Sequence, residues 1–203
     1  MVRRAVLAMV LMVVPVSAAD WTPVADKLAQ SVVYIENAEG SCTGFVINAH
    51  KGDKDLVLTA AHCDGDKLFA DNAVARVVWK DGKRDLMILE VDDTERPAVT
   101  LAKSNPALGE EIVSYGFGMG LEKPMFRHAY VSNPSINLPD VEGGPFVMID
   151  AAYVGGQSGG PVINAAGEVV SIVQRASGLV GIGVGAETIR SKAGRYFEKP
   201  AKP

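Results

Sequence analysis

Cysteine is scarce here, with two residues in 203, which is too few for a disulfide scaffold. Aromatics make up only 6% of the chain and do not interleave with Arg or Lys, so a base-stacking surface is absent. The formal charge is −4 with no basic patch, which argues against nucleic acid as a partner. Only three histidines occur, His50, His62 and His128, and none has Cys or His partners at zinc-ligand spacing. Asp64-Gly65-Asp66 falls short of the six to eight oxygens that Ca²⁺ takes. The glycine run Gly116–Gly120 has neither a following Lys-Ser/Thr nor a helix pattern, so it is not a phosphate loop. No metal and no cofactor is expected. No solenoid repeat is visible, and no apolar run reaches the roughly 20 residues needed to span a bilayer. What is present is a 48% hydrophobic composition, enough for a sizeable core in one or two domains.

The longest apolar run, Ala5–Val16, follows Arg3 and Arg4 and precedes Ser17, Ala18 and Ala19. A positive start, a short apolar stretch and small residues together make residues 1–19 a signal peptide, cleaved near Ala18 or Ala19. The expectation is an exported protein, periplasmic or secreted, without stable membrane insertion. No cysteine follows the small residues, so lipid attachment there is not expected. Export makes an oxidising compartment available to Cys42 and Cys63.

After a helical pattern over Trp21–Gln30, β signals dominate. Runs rich in Val, Ile and aromatics recur at Val32–Ile35, Thr43–Ile47, Leu56–Thr59, Val74–Trp79 and Leu86–Val91. They return at Glu111–Tyr115, Phe146–Asp150, Pro161–Ile163, Val169–Gln174 and Leu179–Val184, separated by Gly, Asn, Asp or Pro. Asp81-Gly82 and Asn164–Gly167 read as hairpin turns. Helical patterning reappears over Ala186–Phe197, with a Lys/Pro tail beyond it. The fold class is all-β. Asp92–Gly109, with Pro97 and Pro106, is the linker candidate and gives units at 20–97 and 98–203. Two small barrels or one larger sandwich fit that spacing.

The stretch Gly156-Gln157-Ser158-Gly159-Gly160-Pro161 lets main-chain N–H groups converge beside a serine hydroxyl, as acyl transfer requires. It also fits the G-x-S-x-G elbow of α/β-hydrolases, but those place their histidine after the serine, and all three histidines here precede Ser158. Thr59-Ala60-Ala61-His62-Cys63 sets a histidine at a strand end, and Arg84-Asp85-Leu86-Met87-Ile88-Leu89 sets one carboxylate at the start of an apolar strand. Read singly, each is as well explained by a turn or a structural histidine. Together they supply a nucleophile, a base to take its proton and a carboxylate to fix the base's tautomer.

The order His62, Asp85, Ser158 with these flanks resembles the trypsin/chymotrypsin-like serine peptidases. The words Thr-Ala-Ala-His-Cys and Ser-Gly-Gly-Pro carry most of that likeness. The start, Leu28–Ile35, the end, Gly181–Val184, and Asp85–Leu89 look more like the HtrA/DegP branch. The resemblance implies two six-stranded antiparallel barrels with a cleft between them and a short C-terminal helix. It implies a serine endopeptidase in which His62 is base then acid, Asp85 orients it and Ser158 attacks the carbonyl. The N–H groups of Gly156 and Ser158 would form the oxyanion hole, and Cys42 would pair with Cys63. The substrate pocket would be built by Ala152, Tyr153, Ser171, Ile172 and Val173. Ala152 stands where the trypsin-like branch floors its primary pocket. Without a carboxylate there, small or medium apolar residues are expected at the cleaved bond, not Arg or Lys.

Gln157 replaces the aspartate that receives a new N-terminus in trypsin-like zymogens, so activity without N-terminal cleavage is expected. By the length after Ser158, the PDZ domain that HtrA proteins usually append is not expected, and a monomer is expected. Partners would be a protein or peptide substrate and a possible protein inhibitor. Two other readings remain open on the same fold: a binding or chaperone-like module with weak or lost proteolysis, and a narrow esterase or acyltransferase.

Overall fold

The computed structural model describes residues 20–49, 54–92 and 94–197. The signal-peptide expectation, His50 and the residues after 197 lie outside the described residues. The first helix, α1 (Thr22–Ser31), has a proline in its opening turn, and the Asp20 carboxylate accepts the Thr22 N–H. That bond holds the Asp20 carboxyl below its ordinary range.

The first sheet is built from β1 (Val32–Asn37), β2 (Gly40–Asn48), β3 (Lys54–Thr59), β4 (Phe69–Ala70), β5 (Ala73–Val74), β6 (Arg76–Asp81) and β7 (Leu86–Asp92). Its order is β5-β4-β1-β2-β3-β7-β6, a half-barrel with no pairing between its end strands among the described residues. The second sheet comprises β8 (Thr100–Leu101), β9 (Glu111–Gly116), β10 (Met125–Ile136), β11 (Phe146–Ile149), β12 (Pro161–Ile163), β13 (Glu168–Ser177) and β14 (Val180–Gly185). Here β12 pairs with both β9 and β13, closing a six-stranded barrel, and β8 adds to β13 as a parallel strand. The helix α2 (Ala186–Ala193) follows. The all-β, two-barrel expectation with a short C-terminal helix is therefore met, with the first barrel open and one short parallel pairing.

Strand patterning explains where the core sits. Successive residues of a strand face opposite ways. On β7, Met87, Leu89 and Val91 pack with Val33, Ile35, Val46 and Val57. Leu86 and Ile88 face the other way, with Phe45 and Leu58, and join Ile112, Val162, Ile172 and Val184 of the second barrel. A strand buried on both faces needs an unbroken apolar run, which Leu86–Leu89 provides.

The sequence reading misses β10. Exposed Phe126, His128, Tyr130 and Ser132 alternate with buried or half-buried Arg127, Ala129, Val131 and Asn133, so polar and apolar residues fall on both faces, and Pro134 argues against a strand. Register shifts between Val131 and Ile136 mark irregular pairing with β11 that accommodates the proline. The run Val74–Trp79 is two strands, broken at Ala75, whose N–H turns to the Leu68 carbonyl at 2.9 Å. The linker candidate is tied to both sheets: Val99 N–H donates to Val46 and Ala102 N–H to Val169.

Candidate active site

His62 sits in a short 3-10 turn, Ala61–Cys63, directly after β3. A disulfide between Cys42 on β2 and Cys63, with sulfurs 2.03 Å apart, fastens that turn to the neighbouring strand. The donor atoms of Cys42, His62 and Cys63 lie within 4.8 Å of one another, but the two sulfurs are bonded to each other and not open to a metal. Asp85 ends the β6–β7 turn with φ +58°, the left-handed region that Asp tolerates better than most residues. This conformation turns the carboxylate back toward His62. One oxygen accepts the His62 main-chain N–H at 2.8 Å and the other meets His62 Nδ1 at 2.8 Å. Asp85 is nearly buried, whereas the His62 side chain is 48% exposed, so the imidazole has an anchored side and an open one.

Ser158 comes from the second barrel, in the loop between β11 and β12. Gly159 N–H donates to the Val173 carbonyl at 2.7 Å, and Val173 N–H returns to Gly160 at 2.9 Å. Gly159 has φ +82°, and a Cβ there would stand 2.3 Å from both Thr43 O and Thr59 Oγ1, so only glycine fits where the barrels meet. His62, Asp85 and Ser158 line one cleft of about 850 Å³. No hydrogen bond joins the Ser158 hydroxyl to His62 among the described residues; such contacts often tighten only when substrate is bound.

The peptide groups before the serine are fixed in a telling way. Gly155 O accepts the Met119 N–H at 2.8 Å, so the N–H of Gly156, on the same trans peptide plane, points the opposite way. Neither the Gly156 nor the Ser158 N–H has a hydrogen-bond partner among the described residues. The Gly156 carbonyl is held at 2.8 Å by Thr43 Oγ1. Thr43 went unremarked as a site residue in the sequence, because its contacts lie 74 and 113 residues away. Gln157 is buried, and its Oε1 accepts the Val154 N–H at 3.0 Å and Arg127 Nε at 3.2 Å.

Of the expected pocket residues, Tyr153 and Val173 line the cleft, while Ala152, Ser171 and Ile172 are not among its lining. Ser171 is fully buried and its hydroxyl donates to the Val184 carbonyl at 3.0 Å. Tyr153 is buried against Gly181, where an added Cβ would come within 2.2 Å of its ring. Its hydroxyl and that of Ser114 are buried close together without a hydrogen bond of good geometry, and burial pushes the Tyr153 phenol up to about 12. Val154, Gly155, Gln174 and Arg175 also line the cleft, as do Asp140 and Val141, and Lys83 and Glu142 form an ion pair of 3.2 Å at the rim.

A family model described as "Trypsin-like peptidase domain" matches residues 42–172. The chain is 31% identical over 160 residues to a "Probable periplasmic serine endoprotease DegP-like" of Hahella chejuensis, covering 72% of this chain and 33% of that protein. A protein of the same description from Ectopseudomonas mendocina is 31% identical over 157 residues, covering 71% and 32%. The chain thus spans about a third of the length of the curated relatives it matches. Among solved structures, the active form of the Rv3671c protease from M. tuberculosis superposes with a TM-score of 0.73 at 26% identity, covering 98% of this chain and 97% of that one. Deg5 superposes at 0.68 with 21% identity, covering 83% and 90%, a likeness of fold. Among the described residues, no helix is long and apolar enough to cross a membrane.

Proposed function

The chain belongs to the trypsin-like peptidase family, and on that premise we propose that it is an exported serine endopeptidase of the HtrA/DegP type using His62, Asp85 and Ser158. The observation that carries this reading is the bidentate hold of Asp85 on His62 in the cleft that Ser158 enters from the opposite barrel. Asp85 fixes the imidazole with its proton on Nδ1, leaving Nε2 to take the Ser158 proton. Ser158 Oγ then bonds to the scissile carbonyl carbon, and the carbonyl oxygen becomes an oxyanion. The N–H groups of Gly156 and Ser158, unengaged among the described residues, would receive that charge, a contribution worth a hundredfold or more in turnover per donor. His62 gives its proton to the departing amine, leaving an acyl-enzyme. Water, deprotonated by His62, attacks the acyl carbon, and Ser158 leaves as the free hydroxyl.

The residue on the acyl side of the cut bond is small or apolar. Tyr153 closes the pocket wall against Gly181, Ala152 supplies no carboxylate where the trypsin-like branch floors its pocket, and of the acidic residues lining the cleft Glu142 is paired with Lys83. The relatives described as periplasmic endoproteases support export and a protein substrate.

A fluorophosphonate probe followed by adduct mapping, with Ser158→Ala as control, tests the reading. Labelling at Ser158 with casein cleavage, and a peptide-library profile of small apolar residues before the cut, is the expected result. Labelling without casein cleavage would point to a narrow acyl substrate. No labelling of folded, disulfide-intact protein would point to a binding module. A profile dominated by Arg or Lys would overturn the pocket assignment.

A further inference from the structure

Thr43 lies on β2 of the first sheet, fully buried, yet most of its polar contacts are made with the second barrel. Its Oγ1 donates to the Gly156 carbonyl at 2.8 Å and accepts the Phe117 N–H at 2.9 Å. Its main-chain N–H donates to the Ser158 carbonyl at 2.8 Å, and its own carbonyl accepts the Thr59 hydroxyl at 2.8 Å. Thr59 ends the strand that leads into His62. One residue therefore bonds to the carbonyls on both sides of Gln157, to the loop beginning at Phe117 and to the strand end before the base.

The hydroxyl has a specific geometric task. The Gly155–Gly156 peptide is held from one side, by the Met119 N–H on Gly155 O. The Gly156–Gln157 peptide is held from the other, by Thr43 Oγ1 on Gly156 O. Gly156 between them is at φ +96° and has no side chain to restrict it, so the direction of its N–H depends on these two carbonyl contacts. A threonine hydroxyl serves because it donates once and accepts at the same time, which Phe117 N–H and Gly156 O both require. Its methyl packs at the places where a Cβ on Gly116 or Gly160 would approach it to 3.3 Å, so the side chain has one seat.

From this we infer that Thr43 is a positioning residue for the oxyanion hole, its hydroxyl holding the Gly156 carbonyl so that the Gly156 N–H stays aimed at the developing oxyanion. The inference rests on the peptidase reading above, and goes beyond it by assigning the hole's geometry to a side chain of the other barrel. Donors of this kind act only when aimed at where charge develops, so their misdirection lowers turnover more than substrate binding.

The test compares Thr43→Val, which keeps the shape and removes donor and acceptor, with Thr43→Ser, which keeps the hydroxyl. Both are made in the whole chain and checked for folding by circular dichroism and thermal melting. For a chromogenic peptide substrate, Thr43→Val is expected to lower kcat on the order of tenfold to a hundredfold, bounded by the loss of a whole donor, with KM within about twofold. Its affinity for a peptide aldehyde, whose hemiacetal places an oxyanion in the hole, is expected to fall in parallel. Thr43→Ser is expected to recover most of both. Hydrogen exchange over residues 154–160 reads the loop without any turnover and is expected to rise in Thr43→Val alone.

Thr43→Val turning over within twofold of the unaltered protein overturns the inference, as does Thr43→Ser falling equally far while folded. So does a Thr43→Val loss confined to KM. If the unaltered protein neither labels nor cleaves, the peptidase reading fails by itself. A rise in loop exchange in Thr43→Val would then still show the Thr43 contact fixing the loop, and unchanged exchange would overturn that as well.

Discussion

Asp85 shows how much depends on single dihedral angles at this site. At φ +58° its carboxylate reaches both the main chain and the ring of His62, two bonds that an extended residue at the start of β7 would not aim together. Tyr153 is the other residue whose environment has a measurable consequence. Its phenol is raised to about 12 by burial, against an ordinary value near 10 in the unfolded chain. The fold thus favours the neutral phenol. The associated stability is complete below about pH 10 and is lost as pH rises toward 12, because the unfolded chain ionises first. Tyr153→Phe removes that ionisation. Denaturant titrations between pH 9 and 11.5 are expected to show the unaltered protein losing about 2 kcal/mol more than Tyr153→Phe across this range. At pH 7 the two are expected to lie within about 1 kcal/mol, since the hydroxyl makes no hydrogen bond of good geometry. Equal slopes for the two proteins at alkaline pH would refute the assignment.

At the scale of elements, the site is an assembly of ends and turns. The turn Ala61–Cys63 carries His62, the proposed base, at the end of β3, and the β6–β7 turn carries Asp85. The loop before β12 carries Ser158, the proposed nucleophile. In the first of these turns Ala61 and Cys63 are buried in the core, and the disulfide ties that turn to β2. Removing the bond between Cys42 and Cys63, 21 residues apart, by a double change to serine is expected to cost about 3 kcal/mol of unfolding free energy. Urea titration measures it, and a loss below about 1 kcal/mol would show that packing alone holds the turn. The hairpins Asp81-Gly82 and Asn164–Gly167 were legible because glycine and asparagine mark them; Gly167, at φ +76°, closes the second. The strand β10 was not, because its residues are chosen for a half-exposed face and the proline sits where the ladder is already irregular.

For the whole molecule, the question is what holds the Ser158 loop in place. In this chain the buried Gln157 amide takes the Val154 N–H and Arg127, all within the second barrel. The N-terminal segment is engaged elsewhere: Trp21 Nε1 donates to Glu111 at 3.2 Å, and His128 meets the same carboxylate at 2.5 Å. Asp26 of α1 also faces Tyr115, whose phenol is raised chiefly by its burial. The protein beginning at residue 20 is therefore expected to be active as made, with no gain on cutting within residues 20–40. Turnover of a peptide substrate before and after limited proteolysis, with N-terminal sequencing, checks this. Activity that appears only after such a cut would overturn it.

The sequence by itself determined the chemistry-bearing words and their order, since His62, Asp85 and Ser158 each sit in a short stretch whose local conformation is set by its neighbours. It also determined the all-β class through strand periodicity and turn residues. The pocket was only half legible. Tyr153 and Val173 face the cleft, whereas Ser171 and Ile172 turn into the core, because facing depends on register across β13 and β14 and not on the residues' order. Thr43 and the free N–H of Gly156 were decided only by the tertiary structure. A hydrogen bond spanning 113 residues exists because two barrels pack against each other, and no local pattern encodes that distance.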